Sequence, residues 1–369
     1  MKRNRKINDP RRQQIRQQQR KNLRRKRLLR YPNEKISEAY QKYIVLPCPE
    51  ILSLERNFDS TIDFFIKIKK LSRHCYESKN YKFCKYRPIF TIDLDLLNFI
   101  SIRCAVILTA EIDRLRSTIN CRLEYRGNID NTAMSSLFYA GFFDYFDIKL
   151  NGNKGDNLNS TKHLLPLISG KLVDLELLDV LEQKLQQFMP NFSTSGVIYE
   201  AMAEAITNVK DHAYREDLPL LYPTYGKKWW ATACYDEEKK AIRLFVYDQG
   251  HGIANTIPSS SLYENIEKIM ARITINSQSF DLKLVHAALE YGKTSTQLNS
   301  RGKGFHNIMD VNQKIEGAVL RIASGKVELT LEKDNVTKEN ARPCHIGGTL
   351  LEWNIPFSGF KVSNGAKYD

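Results

Sequence analysis

The sequence predicts an α/β fold with two folded domains behind a basic N-terminal segment. A chain of 369 residues, 42% of them hydrophobic, is longer than one core usually requires. Strand-like and helix-like patterns alternate in each half of the chain, and a stretch rich in Asn and Gly between the halves has the composition of a flexible connection. We therefore expect a basic, disordered tail at residues 1–34, a first domain at 35–150, a linker at 151–170 and a second domain at 171–369.

The first domain alternates helices and strands. Hydrophobic residues recur at helical spacing near its start, with Ile62, Phe65, Ile66 and Ile68 as candidate core residues. Later runs rich in β-branched and aromatic residues predict buried strands. The predicted elements are a helix at Leu54–Ser72, a strand at Pro88–Asp95, a helix at Ala105–Leu115, a strand at Asn120–Tyr125 and a helix at Met134–Phe146.

A helix predicted around Ile198–Val209 carries the first candidate site residues of the second domain. Its apolar residues gather on one face, and Glu204 and Asn208 lie one turn apart, away from that face. A carboxylate beside a carboxamide can orient a water molecule and complete the ligand shell of Mg²⁺, as phosphoryl chemistry requires. The alternative is an ordinary amphipathic helix with a solvated polar side. A further helix is predicted before it, at Leu172–Met189.

The run Ala241–Tyr247 predicts a strand that leads directly into the motif Asp248-Gln-Gly250-His-Gly252-Ile253. A carboxylate at the end of a strand is a natural acceptor for an exocyclic amine, and two glycines allow the backbone to approach a flat ring closely. The alternative is a turn that only ends the strand. A final strand-like run follows Gly348 and begins with Thr349.

The motif Arg301-Gly302-Lys303-Gly304-Phe305 precedes a helical pattern. Glycines at a helix N-terminus expose amide groups to phosphate oxygens, and Lys303 adds a positive charge. About fifty residues separate this motif from Ile253, and they include a predicted helix at Asp281–Tyr291. The Gly-Lys-Thr at 292–294 is not a P-loop, because a helix rather than a strand precedes it and the first glycine of that motif is missing.

In this order the motifs resemble the Bergerat-fold (GHKL) ATPases and kinases, the histidine-kinase-like ATPase superfamily of gyrase B, MutL and sensor histidine kinases. The stretch Glu204–Tyr214 is most similar to the anti-sigma-factor serine kinases, and the resemblance covers roughly residues 170–357. It implies an α/β sandwich in which a mixed sheet carries helices on one face. It also implies an enlarged ATP lid between Ile253 and Arg301.

The resemblance assigns a role to each motif residue. Glu204 is the expected general base, and Asn208 is the expected Mg²⁺ ligand. Asp248 is the expected anchor of the adenine amino group, and Thr349 is expected to support the adenine through water. The remaining expected ATP-binding residues are Gly250, Gly252, Ile253, Arg301, Gly302, Lys303 and Gly304.

The first domain resembles a STAS domain, the fold of anti-sigma-factor antagonists. The resemblance lies in the β-α-β-α order, in Ile-Asp-Leu before Asn98-Phe-Ile-Ser101, and in the run Ala-Gly-Phe-Phe-Asp-Tyr-Phe at 140–146. Phosphorylated members open the central helix with Asp-Ser or Ser-Ser followed by Gly. Here Ser101-Ile-Arg-Cys104 takes that place, one residue shorter and without the Gly, so modification of Ser101 stays open.

The composition indicates the cellular compartment. Seven scattered cysteines, an odd number, predict a reducing compartment with buried thiols, and we expect a cytoplasmic protein. No apolar run approaches the length of a membrane span, and the charged N-terminus lacks the apolar stretch of a signal peptide. His74, Cys75 and Cys84 could ligate zinc, but no paired Cys-x-x-Cys motif supports such a site.

The motifs predict an ATP-binding switch protein that uses Mg²⁺ and ATP. Three functions compete at this stage. The first is ATP hydrolysis or serine-kinase-like phosphoryl transfer that regulates a protein partner or substrate. The second is an ATP-gated nucleic-acid-binding protein or defence effector that uses the basic tail. The third is a non-catalytic ATP-binding module. A homodimer is compatible with each, and no phosphoacceptor-histidine helix precedes the ATP domain as in a standard sensor histidine kinase.

The basic tail is the feature on which these functions differ most. Residues 1–30 contain fourteen Lys or Arg and one acid, Asp9, for a net charge of +13. The whole chain carries +14, so the remainder carries only +1. Such a segment attracts polyanions, with nucleic acid as the first candidate. The alternative is a solubilising or weakly nonspecific arm.

If the tail binds nucleic acid, deleting residues 1–30 should abolish that binding and leave the ATP site intact. Binding by the full chain should be indifferent to sequence, and it should fall by about 10³-fold between roughly 50 and 200 mM salt as counterions are released. Fluorescence anisotropy with labelled DNA and RNA measures both effects. A shortened protein that binds as tightly as the full chain would place the contact on a folded domain instead.

Overall fold

The computed structural model describes residues 43–77, 89–119, 122–126, 131–148, 163–171, 179, 183, 195–222, 226–236, 240–260, 262–273, 279–294, 304–333 and 335–359. The predicted tail and the Asn- and Gly-rich stretch at 151–160 lie outside these residues. So does almost all of the predicted helix Leu172–Met189, of which 179 and 183 are described as helical.

The N-terminal part of the described chain contains a small parallel sheet. Strands β1 (Tyr43–Pro47), β3 (Ile89–Asp93) and β5 (Arg122–Arg126) pair in the order β1-β3-β5. Parallel strands need long crossovers, and helices α1 (Phe58–Glu77) and α2 (Ile102–Ile119) lie in those connections. Each crossover also carries a two-residue strand, β2 (Ile51–Leu52) and β4 (Phe99–Ile100), and these two pair with each other.

Helix α1 begins later than predicted because of a turn built by Ser53. Its hydroxyl accepts hydrogen bonds from the backbone N–H groups of Glu55 and Arg56, a local arrangement that competes with helix. The helix therefore begins at Phe58 rather than at Leu54. Its predicted core is confirmed, since three of the four candidates are fully buried and the fourth is half-buried. The buried three are Ile62, Phe65 and Ile68.

The predicted helix Met134–Phe146 is two helices, α3 (Asn131–Tyr139) and α4 (Phe142–Tyr145). Gly141 breaks it with a φ of 78°, in the left-handed region that favours glycine. A Cβ at this position would lie 2.7 Å from the Leu167 backbone nitrogen. The break thus lets the chain pass closely over the strand that contains Leu167.

The main sheet has seven described strands, and every pairing between them is antiparallel. They are β6 (His163–Gly170), β7 (Trp229–Asp236), β8 (Ala241–Asp248), β9 (Val319–Ser324), β10 (Val327–Glu332), β11 (Asn335–Ala341) and β12 (Thr349–Pro356). Their order is β11-β10-β9-β12-β8-β7-β6. The expectation of a mixed sheet is wrong for these strands, because the segments that join β7 to β8, β9 to β10 and β10 to β11 are too short for the crossover that parallel pairing needs.

Strand β6 also corrects the predicted boundaries. Residues His163–Gly170 fall in the predicted linker 151–170, but they pair with β7 at one edge of the main sheet. Pro166 masked the strand in the sequence, because proline is accepted only in edge strands and at irregular positions. The register of β6 against β7 indeed shifts between Leu165 and Ile168, the stretch that contains this residue.

Helices α5 (Ser195–Asn208), α8 (Phe280–Thr294) and α9 (Gly304–Lys314) cover one face of the main sheet. The apolar side of α5 packs there as predicted, and residues such as Leu244 and Val246 of β8 belong to the same core. The Trp353 indole N–H donates a hydrogen bond of 2.9 Å to the Ile308 carbonyl, which ties β12 to α9.

Helix α2 covers the opposite face of the main sheet, where it contacts β7 and β8. Phe245 and Tyr247 alternate with Leu244 and Val246 along β8 and join a second core with Trp230 and residues of α1 and α2. Tyr43–Asp369 accordingly groups as one compact unit. The helices of the predicted second domain thus lie on one face of the sheet, as expected, and α2 of the predicted first domain covers the aromatic residues of the other face.

Buried charges reinforce the contact between α2 and the main sheet. Arg103 of α2 lies 2.9 Å from a carboxylate oxygen of Glu328 and 3.2 Å from one of Glu352. Glu352 also pairs with Arg243 at 2.5 Å. Burial alone would raise the pKa of Glu352, but the surrounding arginines hold it at about 2.

A fragment of residues 163–369 is expected not to fold alone. Trp230, Phe245 and Tyr247 would lose their cover, at roughly 1.5–3 kcal/mol for each large side chain, and Glu352 would lose one of its cations. Circular dichroism melts and amide NMR dispersion of this fragment, with residues 43–369 as the matched control, measure the effect. A monomeric 163–369 fragment that melts cooperatively would contradict it.

Candidate functional site

A cavity of about 590 Å³ lies between α5, the loop after β8, helices α8 and α9, and the start of β12. Six of the candidate residues line it, although they come from distant parts of the sequence. They are Glu204, Asn208, Asp248, Gly252, Ile253 and Thr349. Gly250 lies in the same loop behind the cavity wall, and Gly304 is the first residue of α9. Arg301, Gly302 and Lys303 lie outside the described residues.

The end of α5 presents a polar group of side chains to this cavity. Glu204 and Asn208 are half-buried, and the helix continues as a π-helical turn at Val209–Ala213. Burial and the nearby Asp211 carboxylate raise the pKa of Glu204. In the described part of the chain, the Asn208 amide nitrogen is buried without a hydrogen-bond partner. A buried donor without a partner is costly, and a π-turn is frequent at functional sites.

Asp248 is the most buried acid of the cavity, with 4% of its surface exposed. It ends β8 opposite Thr349 of β12, and its Oδ1 accepts a hydrogen bond of 2.7 Å from the Gly250 N–H. Burial raises the pKa of Asp248 to about 7, against the hydrogen bonds from Gly250 and Thr349 that lower it. Among the described residues no cation pairs with it. Its carboxyl group therefore changes charge near neutral pH.

The structure explains the glycines of the Asp248 loop by packing of the backbone. A Cβ at Gly250 would lie 2.2 Å from the Ala213 carbonyl oxygen, and Gly252 has a φ of 79°. The loop is held there because the His251 N–H donates to the same carbonyl at 2.9 Å. The approach of a flat ring stays a prediction for Gly252, which lines the cavity, whereas packing against Ala213 accounts for Gly250.

Ser324, at the end of β9, contacts two residues of the cavity wall although the sequence gives no signal for it. Its hydroxyl accepts a hydrogen bond of 2.8 Å from the Ile253 N–H and lies 2.9 Å from the Thr349 hydroxyl. Ser324 therefore joins the Asp248 loop to β12. No motif marks this residue, because its role arises only from the pairing of β9 with β12.

The rest of the cavity wall is largely apolar. Helices α6 (Ile253–Thr256), α7 (Tyr263–Met270), α8 and α9 contribute to it together with α5 and β8, and the predicted helix Asp281–Tyr291 is confirmed as part of α8. The apolar lining residues are Ala205, Val209, Ala213, Val246, Ile253, Ile257, Leu262, Ile266, Ala288, Tyr291, Phe305, Ile308 and Leu351. Ligand cavities commonly combine such walls with a few polar groups in fixed positions.

This donor set fits a purine nucleotide with Mg²⁺. The cavity has an apolar wall for a flat base, one buried carboxyl for an exocyclic amine, and a polar end at Asn208. Where the structure describes the chain, no group of three or more His, Cys, Asp or Glu side chains could hold a metal. Asn208 is the residue of the site that would hold Mg²⁺, because this ion keeps few protein ligands.

Other candidate residues lie elsewhere. The Ser101 hydroxyl accepts a hydrogen bond from the Cys104 N–H at the start of α2, which is a helix-capping role. The side chains of His74, Cys75 and Cys84 lie outside the described part. The thiols of Cys48, Cys104 and Cys234 are buried, as expected, whereas Cys344 is half-buried. None of the helices in the described ranges is long and apolar enough to cross a membrane.

Comparison with known proteins returns no match: no protein-family model fits the chain, and no curated protein is similar to it at a significant level. The geometry of the cavity is therefore the main support for any function.

Proposed function

We propose that the chain binds Mg-ATP in this cavity and uses it for hydrolysis or for serine-kinase-like phosphoryl transfer that regulates a protein partner. The observation that carries the proposal is that Glu204, Asn208, Asp248 and Thr349 line one cavity. They come from three separate sequence motifs, since Glu204 and Asn208 share one helix.

The base end of the site would be formed by Asp248 and Thr349. The ionised Asp248 carboxylate accepts a hydrogen bond from the amino group of adenine, and the apolar wall packs against the ring. Guanine presents an oxygen at that position, which the carboxylate repels. Preference for ATP over GTP therefore follows from the charge of one buried side chain.

The phosphate end would be formed by Asn208 and Glu204. Mg²⁺, when bound, neutralises charge on the phosphate oxygens. Glu204 has a raised pKa, which suits a group that takes a proton from a water molecule or hydroxyl near neutral pH. Asp211 contributes to that raised pKa and also lines the cavity.

A separate protein is a better phosphoryl acceptor than the N-terminal part of the same chain. Ser101, the candidate acceptor in cis, caps α2 and does not line the cavity. Helix α2 covers the sheet face opposite α5 and α9. The resemblance of Glu204–Tyr214 to anti-sigma-factor serine kinases also favours a protein substrate. Nucleic-acid binding is a second candidate, favoured by the net charge of +13 in residues 1–30.

ATP affinity should increase as pH rises through about 7, because the ionised Asp248 carboxylate accepts from the adenine amine more strongly than the neutral carboxyl group does. Below that pH the affinity should fall by about tenfold per unit. Asp248→Asn should lose about 2–4 kcal/mol of ATP binding energy and the pH dependence attributed to this group. Calorimetry between pH 5.5 and 8.5 measures both.

The Asp248→Asn titration is the control for protonation of ATP itself, which affects both proteins equally. GTP should show the opposite trend, since a neutral carboxyl can donate a hydrogen bond to its oxygen. Equal affinity for ATP and GTP at every pH would remove Asp248 from the base site.

Replacement of Glu204 should separate chemistry from binding. Glu204→Ala is expected to leave ATP affinity within a few-fold and to lower turnover by about 10²–10⁴, the usual contribution of a general base. Asn208→Ala should weaken Mg²⁺-dependent binding as well. Release and transfer of label from γ-labelled ATP, with and without cell extract, measure turnover. Unchanged turnover in Glu204→Ala would assign the activity to another base or to a contaminant.

A further inference from the structure

A buried ion pair from the N-terminal helices lies directly behind the base end of the cavity. Lys69 of α1 and Glu111 of α2 have no exposed side-chain surface, and their charged atoms are 3.5 Å apart. Lys69 Nζ also donates a hydrogen bond to the Ile346 carbonyl, just before β12. Neither residue lines the cavity.

Only two glycines separate Lys69 from Asp248. Gly347 has a φ of 94°, and a Cβ there would lie 2.3 Å from Lys69 Nζ. Gly348 has a φ of 144°, and a Cβ there would lie 1.8 Å from the Asp248 carbonyl oxygen. The backbone at 347–348 is therefore in contact with the ion pair on one side and with the base-binding strand end on the other.

Tyr247 provides a second connection. The Tyr247 hydroxyl lies 3.4 Å from Glu111 Oε1 and 3.3 Å from the Gly347 carbonyl oxygen, and it donates to these acceptors. Tyr247 immediately precedes Asp248 in β8 and is fully buried. Glu111 thus holds the residue next to the base anchor, while Lys69 holds the start of β12.

The loop after the π-turn is attached to the same helices. Arg114 of α2 pairs with Glu111, and Arg73 of α1 donates to the Leu221 carbonyl. The Tyr214 hydroxyl accepts from the N–H of Gln249, the residue after Asp248. The loop after the π-turn thus contacts α1 at Leu221, and Tyr214 contacts the residue after Asp248.

Buried ion pairs of this kind add little net stability compared with apolar side chains of the same size. Burial lowers the pKa of Lys69 well below its ordinary value, which shows how unfavourable its charge is there. What such a pair supplies is directed hydrogen bonds, which fix the position of the backbone they hold.

We propose that Lys69 and Glu111 are positioning residues for the base end of the nucleotide site. The N-terminal α/β part then sets base discrimination by holding Gly347, Tyr247 and, through them, Asp248. This inference rests on the proposed function, since it concerns how the same site recognises adenine.

The test is the ratio of ATP to GTP affinity in Lys69→Met and Tyr247→Phe, measured by calorimetry on the full chain at pH 8. The matched control is Arg103→Met, which removes a buried cation from the same interface at a distance from the cavity. Lys69→Met should reduce the ratio by about tenfold, the lower end of the effect of outer-shell hydrogen bonds at metal sites. Arg103→Met should lower the melting temperature and leave the ratio unchanged.

Tyr247→Phe removes one hydroxyl and keeps the packing, so it provides the test if Lys69→Met does not fold. A folded Tyr247→Phe or Lys69→Met protein with the wild-type ratio overturns the positioning role alone. An equal reduction of the ATP-to-GTP affinity ratio in Arg103→Met would also overturn the positioning role, because the effect would then come from a general loss of rigidity at the interface. A wild-type protein that binds neither nucleotide overturns the proposed function together with this inference.

Discussion

The antiparallel pairing of β8 with β12 is the constraint on which the rest of the structure depends. It sets Asp248 opposite Thr349 at the end of both strands, and a Cβ at Gly348 would lie 1.8 Å from the Asp248 carbonyl oxygen. The same pair of strands carries the apolar residues of both cores and the buried Glu352. A shift of one residue in this register would invert both faces and separate the carboxyl group from its supporting hydroxyl.

The Asp248 carboxyl group is deeply buried because helices cover both faces of the main sheet. Helices α5 and α9 exclude water from one face, and α2 excludes it from the other. The resulting desolvation raises the pKa of Asp248 to about 7, and the hydrogen bonds from Gly250 and Thr349 keep it from rising further. The N-terminal helices thereby contribute to the electrostatics of a cavity that they do not line.

Sequence patterns predicted the elements that depend on neighbouring residues, and they failed to predict features that depend on contacts between distant segments. The apolar spacing in α5 and the run from Ala241 to Asp248 identified a helix, a strand and the side chains that now share the cavity. Edge strand β6 was missed because Pro166 interrupts it. The role of Ser324 and the docking of α2 on the sheet arise from pairing and packing between distant segments, although the aromatic alternation in β8 was a visible sign of two-sided burial.

The central claim is that the cavity binds ATP with its base against Asp248. A crystal structure of the chain with a nonhydrolysable ATP analogue and Mg²⁺ tests it most directly. The account predicts the adenine amino nitrogen about 3 Å from an Asp248 carboxylate oxygen, with the triphosphate toward Asn208 and Glu204. An analogue bound elsewhere, or a base that does not contact Asp248, would contradict it.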